Sequence, residues 1–134
     1  MKITTFNPQI VTKDPAPILE LFEELGFEKR HQKEGVGSQG VTEIRMKDAN
    51  GFYLDVAVTE HIPGPDIPTM RMNVDDFEEA YALLTEHGFT NFYADQAIHT
   101  PSSMSALMVS PHGFAINLVK HFRKPEKLGG QTEQ

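Results

Sequence analysis

Cysteine is absent from this 134-residue chain, which excludes a disulfide framework, a thiolate nucleophile and a cysteine-based metal site. No run of 18 apolar residues occurs, so no membrane-spanning helix is expected. Met1 to Ile10 holds one lysine and then polar residues, with no apolar signal core. A cytoplasmic location is the default expectation. Positive charge is also scarce: 12 Lys and Arg stand against 19 Asp and Glu, a net charge of −7. That balance argues against nucleic-acid partners, whose binding depends on neutralising phosphates; it favours cationic ligands over anionic ones at long range. No two histidines have the i, i+4 helical spacing of a zinc site. Ser102, Ser103 and Ser105 sit in no nucleophile elbow, so hydrolase chemistry has little support. What remains is ordinary for one globular domain spanning 1–134, with 39% hydrophobic and 23% charged residues.

The strongest positive signal is internal repetition. Leu25-Gly26-Phe27 closes one helical pattern and His87-Gly88-Phe89 another, 62 residues apart. Asp48-Ala49-Asn50-Gly51-Phe52 and Ser110-Pro111-His112-Gly113-Phe114 share that offset, as do the helix-opening Asp14 and Asp76. Three unrelated features at one spacing point to a duplicated unit, predicted over about 3–59 and 69–122. Residues 60–68 contain Pro63, Gly64, Pro65 and Pro68 and are expected to be a linker; the polar 123–134 is expected to be a loosely held tail.

Within each unit the periodicity orders the elements. Residues 3–12 alternate, with Pro8 favouring an edge or bulge. Asp14 is a plausible N-cap and Pro15 a suitable first helical residue. Ile18, Leu21, Phe22 and Leu25 make an apolar helix stripe. Strands are expected near 27–33, 41–47 and 52–59, with Asn50-Gly51 as a hairpin turn. The second unit repeats this with a strand through Met70, Met72 and Val74. A helix stripe of Phe77, Ala80, Tyr81 and Leu84 follows, then strands near 89–94, 104–109 and 114–121. Residues 95–103, with His99, are expected to form a loop long enough to fold over a binding face.

The βαβββ order and these motifs resemble the glyoxalase/bleomycin-resistance/extradiol-dioxygenase (vicinal oxygen chelate) superfamily over about residues 3–122. The supporting residues are Val11-Thr12-Lys13-Asp14, Leu25-Gly26-Phe27, Asp48 to Val56, and Ser110 to Leu118. The resemblance implies an α+β fold in which tandem βαβββ units form a cupped, partly closed mixed sheet with helices outside. It also implies four metal-ligand positions on the first and last strands, usually His or Gln, Glu, His and Glu. Here they fall on Asn7, Asp55, Thr69 and Asn117. Only Asp55 keeps a carboxylate, so the family metal is expected to be lost and no cofactor is expected. A homodimer is expected, since proteins of this resemblance commonly pair and strand 104–109 is apolar on both faces.

Strand parity gives an independent estimate of the binding face. The apolar parity should meet the helices, leaving Asn7, Gln9, Glu43, Arg45, Tyr53, Asp55, Ala57, Arg71, Asn73, Ala115, Asn117 and Val119 on the other side. The charged members either pair with one another, or stand on a solvated face, or anchor a ligand. In the last case Arg45 or Arg71 would hold an anionic group, Asn7, Asn73 and Asn117 would supply amides, and Tyr53 a stacking ring; a cationic ligand would suit the same face if Asp55 and Glu43 dominate. The candidate ligand-binding set is therefore Asn7, Gln9, Glu43, Arg45, Tyr53, Asp55, Arg71, Asn73, His99 and Asn117. No catalytic residue is assigned. The expected function is metal-free small-molecule binding by sequestration or sensing. The alternatives are a glyoxalase-like lyase, isomerase or dioxygenase using Asp55 in an atypical metal site, and a purely structural fold.

Overall fold

The computed structural model describes residues 1–36, 41–94, 97–100 and 102–122. The elements run β1 (Ile3–Thr12), α1 (Ala16–Glu24), β2 (Glu28–Val36), β3 (Val41–Lys47), β4 (Tyr53–Val58), β5 (Ile67–Val74), α2 (Phe77–Glu86), β6 (Thr90–Asn91), β7 (Ile98–Thr100), β8 (Ser103–Val109) and β9 (Ala115–His121). This is the expected α+β pattern, with parallel β1–β4 and antiparallel β2–β3–β4 pairing making the sheet mixed. The expected tail, 123–134, lies outside the described residues.

The repeat is visible in the backbone bonding. Phe27 donates its amide to the Phe22 carbonyl, and Phe89 does the same to Leu84. Gly26 and Gly88 close the two helices at φ +104° and +91°, a left-handed conformation that glycine adopts without steric cost. The turns after β3 and β8 match as well. Asp48 Oδ1 accepts from the amides of Asn50 and Phe52 at 3.0 and 2.9 Å, and Ser110 Oγ accepts from His112 and Phe114 at 3.1 and 3.2 Å. A carboxylate and a hydroxyl serve the same acceptor role, which is why the two turns differ in sequence but not in geometry.

The described residues form two compact units, one of Asn7–Arg71 and one of Met1–Phe6 with the described residues between Met72 and Phe122. In the first, Ile18 of α1 packs on Ile44 and Met46 of β3 and Leu54 and Val56 of β4, with Ile10, Leu19, Phe22 and Phe27 around them. Burying such side chains contributes roughly 1.5–3 kcal/mol each. The helix stripe is rotated from the expected one: Ile18 and Phe22 pack, whereas Leu21 and Leu25 are exposed. Asp14 accepts the Ala16 amide at 3.3 Å rather than capping deeper in the first turn.

In the second unit α2 lies against β9 and buries Phe77 and Ala80. Asp76 caps it, Oδ1 accepting the Glu79 amide at 3.0 Å. The Lys2 amide donates to Asp75 Oδ1 at 2.6 Å. That backbone hydrogen bond holds the exposed Asp75 carboxyl below its ordinary range.

Four local expectations change. Pro8 is not on an edge strand, because β1 lies between β4 and β5; the β1–β4 pairs begin only at Gln9, so no pairing with β4 is lost at the proline. The linker is shorter, since β5 already starts at Ile67 and holds the exposed Pro68 beside its first residue. The strand expected at 89–94 is limited to Thr90–Asn91, and a turn with Ala94 at φ 63° follows. Residues 98–100, expected as loop, form β7 and pair with β8, His99 opposite Met104.

Candidate functional site

The site lies within the unit Asn7–Arg71, on the face opposite α1. Register fixes which side chains share it. Arg45 stands across from Asp55 in the β3–β4 ladder, and Asp55 across from Gln9 in the β1–β4 ladder. Since alternate residues share a face, Glu43, Arg45, Tyr53, Asp55 and Gln9 are opposite to Ile44, Met46, Leu54 and Val56, which pack on the helix.

Asp55 is the centre of this face, with 4% of its side chain exposed. Arg45 Nε lies 3.1 Å from Asp55 Oδ1 and Arg45 Nη2 3.4 Å from Oδ2. Arg71 Nη1 is 3.5 Å from Oδ2, and the Asn7 amide Nδ2 donates to Oδ2 at 2.7 Å. Asn7 also accepts from Arg45 Nη2 at 2.9 Å, which fixes both ends of its amide. Glu43 Oε1 is 3.9 Å from Arg71 Nη1, a looser contact at the exposed margin. The Arg45 guanidinium lies over the Tyr53 ring, 4.1 Å from its centroid, with Lys47 Nζ at 5.2 Å from the same ring.

Thus the charged residues of this face do pair with one another, and the face is not a solvated one: Asn7, Gln9, Asp55 and Arg71 are all buried. The structure brings together Asn7, Arg45, Asp55, Arg71, Glu43 and Tyr53, with Gln9 on the same face. Asn73, Asn117 and His99 belong to the other compact unit. There Asn73 is buried, Asn117 is half-buried and opposite Leu107 on β8, and His99 is exposed on β7. Sequence reasoning missed Lys47, which continues the parity of Glu43 and Arg45, so the signal was present in the alternation itself. Thr69, named from the resemblance only as a metal-ligand position, follows the parity of Arg71 but was left out of the ligand-binding set.

These groups do not suit a divalent cation. Asp55 Oδ2 already accepts from Arg45 Nη2 and the Asn7 amide, Arg71 is in ion-pair contact with the same carboxylate, and Asn7 turns its oxygen to Arg45. Two neighbouring positive charges would repel a metal ion. Among the described residues, no group of three or more His, Cys, Asp or Glu is arranged to hold one.

Comparison with solved structures places this architecture. The methylmalonyl-CoA epimerase of Mycobacterium tuberculosis is similar at 15% identity, covering 88% of this chain and 88% of that one, with a TM-score of 0.60. The Streptomyces coelicolor methylmalonyl-CoA epimerase, a single-residue variant in complex with 2-nitronate-propionyl-CoA, is 20% identical over 89% of this chain and 98% of its own, TM-score 0.59. A glyoxalase/bleomycin resistance protein/dioxygenase superfamily member from Vibrio splendidus is 14% identical over 90% and 100%, TM-score 0.53. The chain thus shares the fold of these solved structures. No family model and no curated protein sequence matches the chain. Identities this low establish the fold and leave the activity to the site's own chemistry.

Proposed function

We propose that this protein binds a small molecule on the polar face of Asn7–Arg71, without a metal, and sequesters or senses that ligand rather than transforming it. The reading rests on the arginine–aspartate cluster. One buried carboxylate holds two guanidiniums at set positions, so they lose little freedom when a ligand arrives. Arg45 on Tyr53 adds a flat cationic and aromatic platform. Arg45, Glu43 and Tyr53 are partly exposed and give access. The enzyme alternative needs Asp55 as base or metal ligand, but its oxygens are engaged by Arg45, Arg71 and Asn7. The Streptomyces coelicolor complex is an instance of a small molecule held on this fold.

Equilibrium dialysis against a panel of metabolites and antibiotics, with elemental analysis of protein purified without chelator or His-tag, tests the proposal. A compound should be retained stoichiometrically and unchanged, without near-stoichiometric zinc, nickel, manganese or iron. Arg45→Gln should weaken retention about tenfold or more, the loss expected for a charge-assisted contact. Turnover of the compound, or a bound metal that disappears in Asp55→Ala, would overturn it.

A homodimer is proposed as the working form. Leu21 on α1 and Leu25 at its C-cap lie one helical turn apart and are 53% and 60% exposed, an apolar pair that a two-fold contact would cover. Light scattering at tens of micromolar should give twice the chain mass; a monomer mass refutes this.

A further inference from the structure

Thr69 lies on β5 two residues before Arg71, so the two side chains leave the same face of the strand. β5 neighbours β1, which carries Asn7 and Gln9. Thr69 is 7% exposed, and its Oγ1 is buried with no hydrogen-bond partner. A buried hydroxyl left this way is costly, whereas valine would fill nearly the same volume without that cost. A second buried donor on this face is also unsatisfied: Arg45 Nε is at ion-pair distance from Asp55 but makes no directed hydrogen bond. Unsatisfied buried donors on one face of a polar cluster call for an acceptor, which an ordered water or a ligand can supply.

Resting on the small-molecule reading above, we infer that Thr69 is a ligand-binding residue whose hydroxyl donates to an oxygen of a small carboxylate. The ligand carboxylate sits beside Arg71 and replaces the loose Glu43 contact of 3.9 Å, whose carboxylate is 36% exposed and free to swing into solvent. Hydroxyl and guanidinium are both donors toward such a group, and a carboxylate offers about four lone-pair sites to receive them. Charge agrees with this assignment. With Glu43 displaced, two guanidiniums, Arg45 and Arg71, remain in ion-pair contact with the single carboxylate of Asp55, and one further negative charge balances them. The overall acidity of the chain does not oppose it, because long-range repulsion is screened within about 8–10 Å at ordinary salt.

The test is calorimetric titration of the full chain with pyruvate, lactate and benzoate, each beside its primary amide, and with inorganic phosphate. The wild-type protein, Thr69→Val and Thr69→Ser are compared, and each is also unfolded in urea without ligand. At least one acid should bind the wild type while its amide does not. Thr69→Val should lose about tenfold or more in affinity, and Thr69→Ser should retain binding. Thr69→Val should unfold at a urea concentration no lower than the wild type, because the hydroxyl it removes has no partner in the fold. Equal affinity of Thr69→Val and wild type overturns the role of Thr69 and leaves the binding reading standing. A destabilised Thr69→Val shows the hydroxyl to be satisfied internally and also overturns it. Preference for phosphate or for the amides overturns the carboxylate class. If these acids fail while other compounds of the metabolite panel bind, the carboxylate falls and small-molecule binding stands; if nothing binds the wild type, both fall.

Discussion

Asp55→Ala is expected to destabilise the protein by roughly 3–5 kcal/mol, the range for removing one partner of a buried ion pair. Arg71 is 11% exposed and loses its closest carboxylate; Arg45 is 29% exposed and can partly rehydrate, which favours the lower end of the range. Asn7 loses its amide acceptor as well. Asp55→Asn keeps volume and an acceptor oxygen but not the charge, so it should fall between wild type and alanine. Glu43→Ala provides the contrast. Its contact is longer and its carboxylate is 36% exposed, so the loss should stay within about 1 kcal/mol, as for surface pairs. Urea unfolding monitored by circular dichroism measures all three. If Asp55→Ala costs no more than Glu43→Ala, Asp55 does not organise this face.

A second large effect is expected at a glycine of the other compact unit. Gly88 has φ +91°, and a Cβ built there would stand 2.8 Å from Pro111 Cγ. Gly26, its repeat counterpart, has φ +104° and nothing within 4 Å of the same atom. Left-handed backbone costs a residue with a side chain roughly 1–2 kcal/mol, and forcing extra volume into a packed contact roughly 1–3 more. Gly88→Ala should therefore lose about 2–5 kcal/mol and Gly26→Ala about 1–2 kcal/mol in the same unfolding assay. Equal losses at the two sites would show that the turn at Pro111 yields without cost.

Repetition and alternation were legible because both depend on local chemistry. The spacing of 62 residues reappears in the glycine conformations and in the acceptors of the two turns, since each feature is made by a few neighbouring residues. Parity placed Arg45, Tyr53 and Asp55 on one face, because β3 and β4 run without a register shift between them. The same rule puts Thr69 beside Arg71; the resemblance marked Thr69 only as a lost metal-ligand position, and its hydroxyl gained meaning once it was seen to lack a partner.

The chain by itself thus determined the two helices, most of the strands, the duplicated unit and the faces of its regular strands, all of which follow from periodicities of a few residues. Tertiary structure alone decided the rest. Which of Ile18, Leu21, Phe22 and Leu25 pack depends on where α1 rests on β3 and β4, and that selected Ile18 and Phe22. The short β7, carrying His99, exists because β8 offers it a hydrogen-bonding edge. Whether Arg45, Arg71, Glu43 and Asp55 would be solvated or paired was open in the alternation, since spacing along a strand does not measure burial. Bringing β1, β3, β4 and β5 together removed water from Asp55 and left the two guanidiniums as its counter-charges.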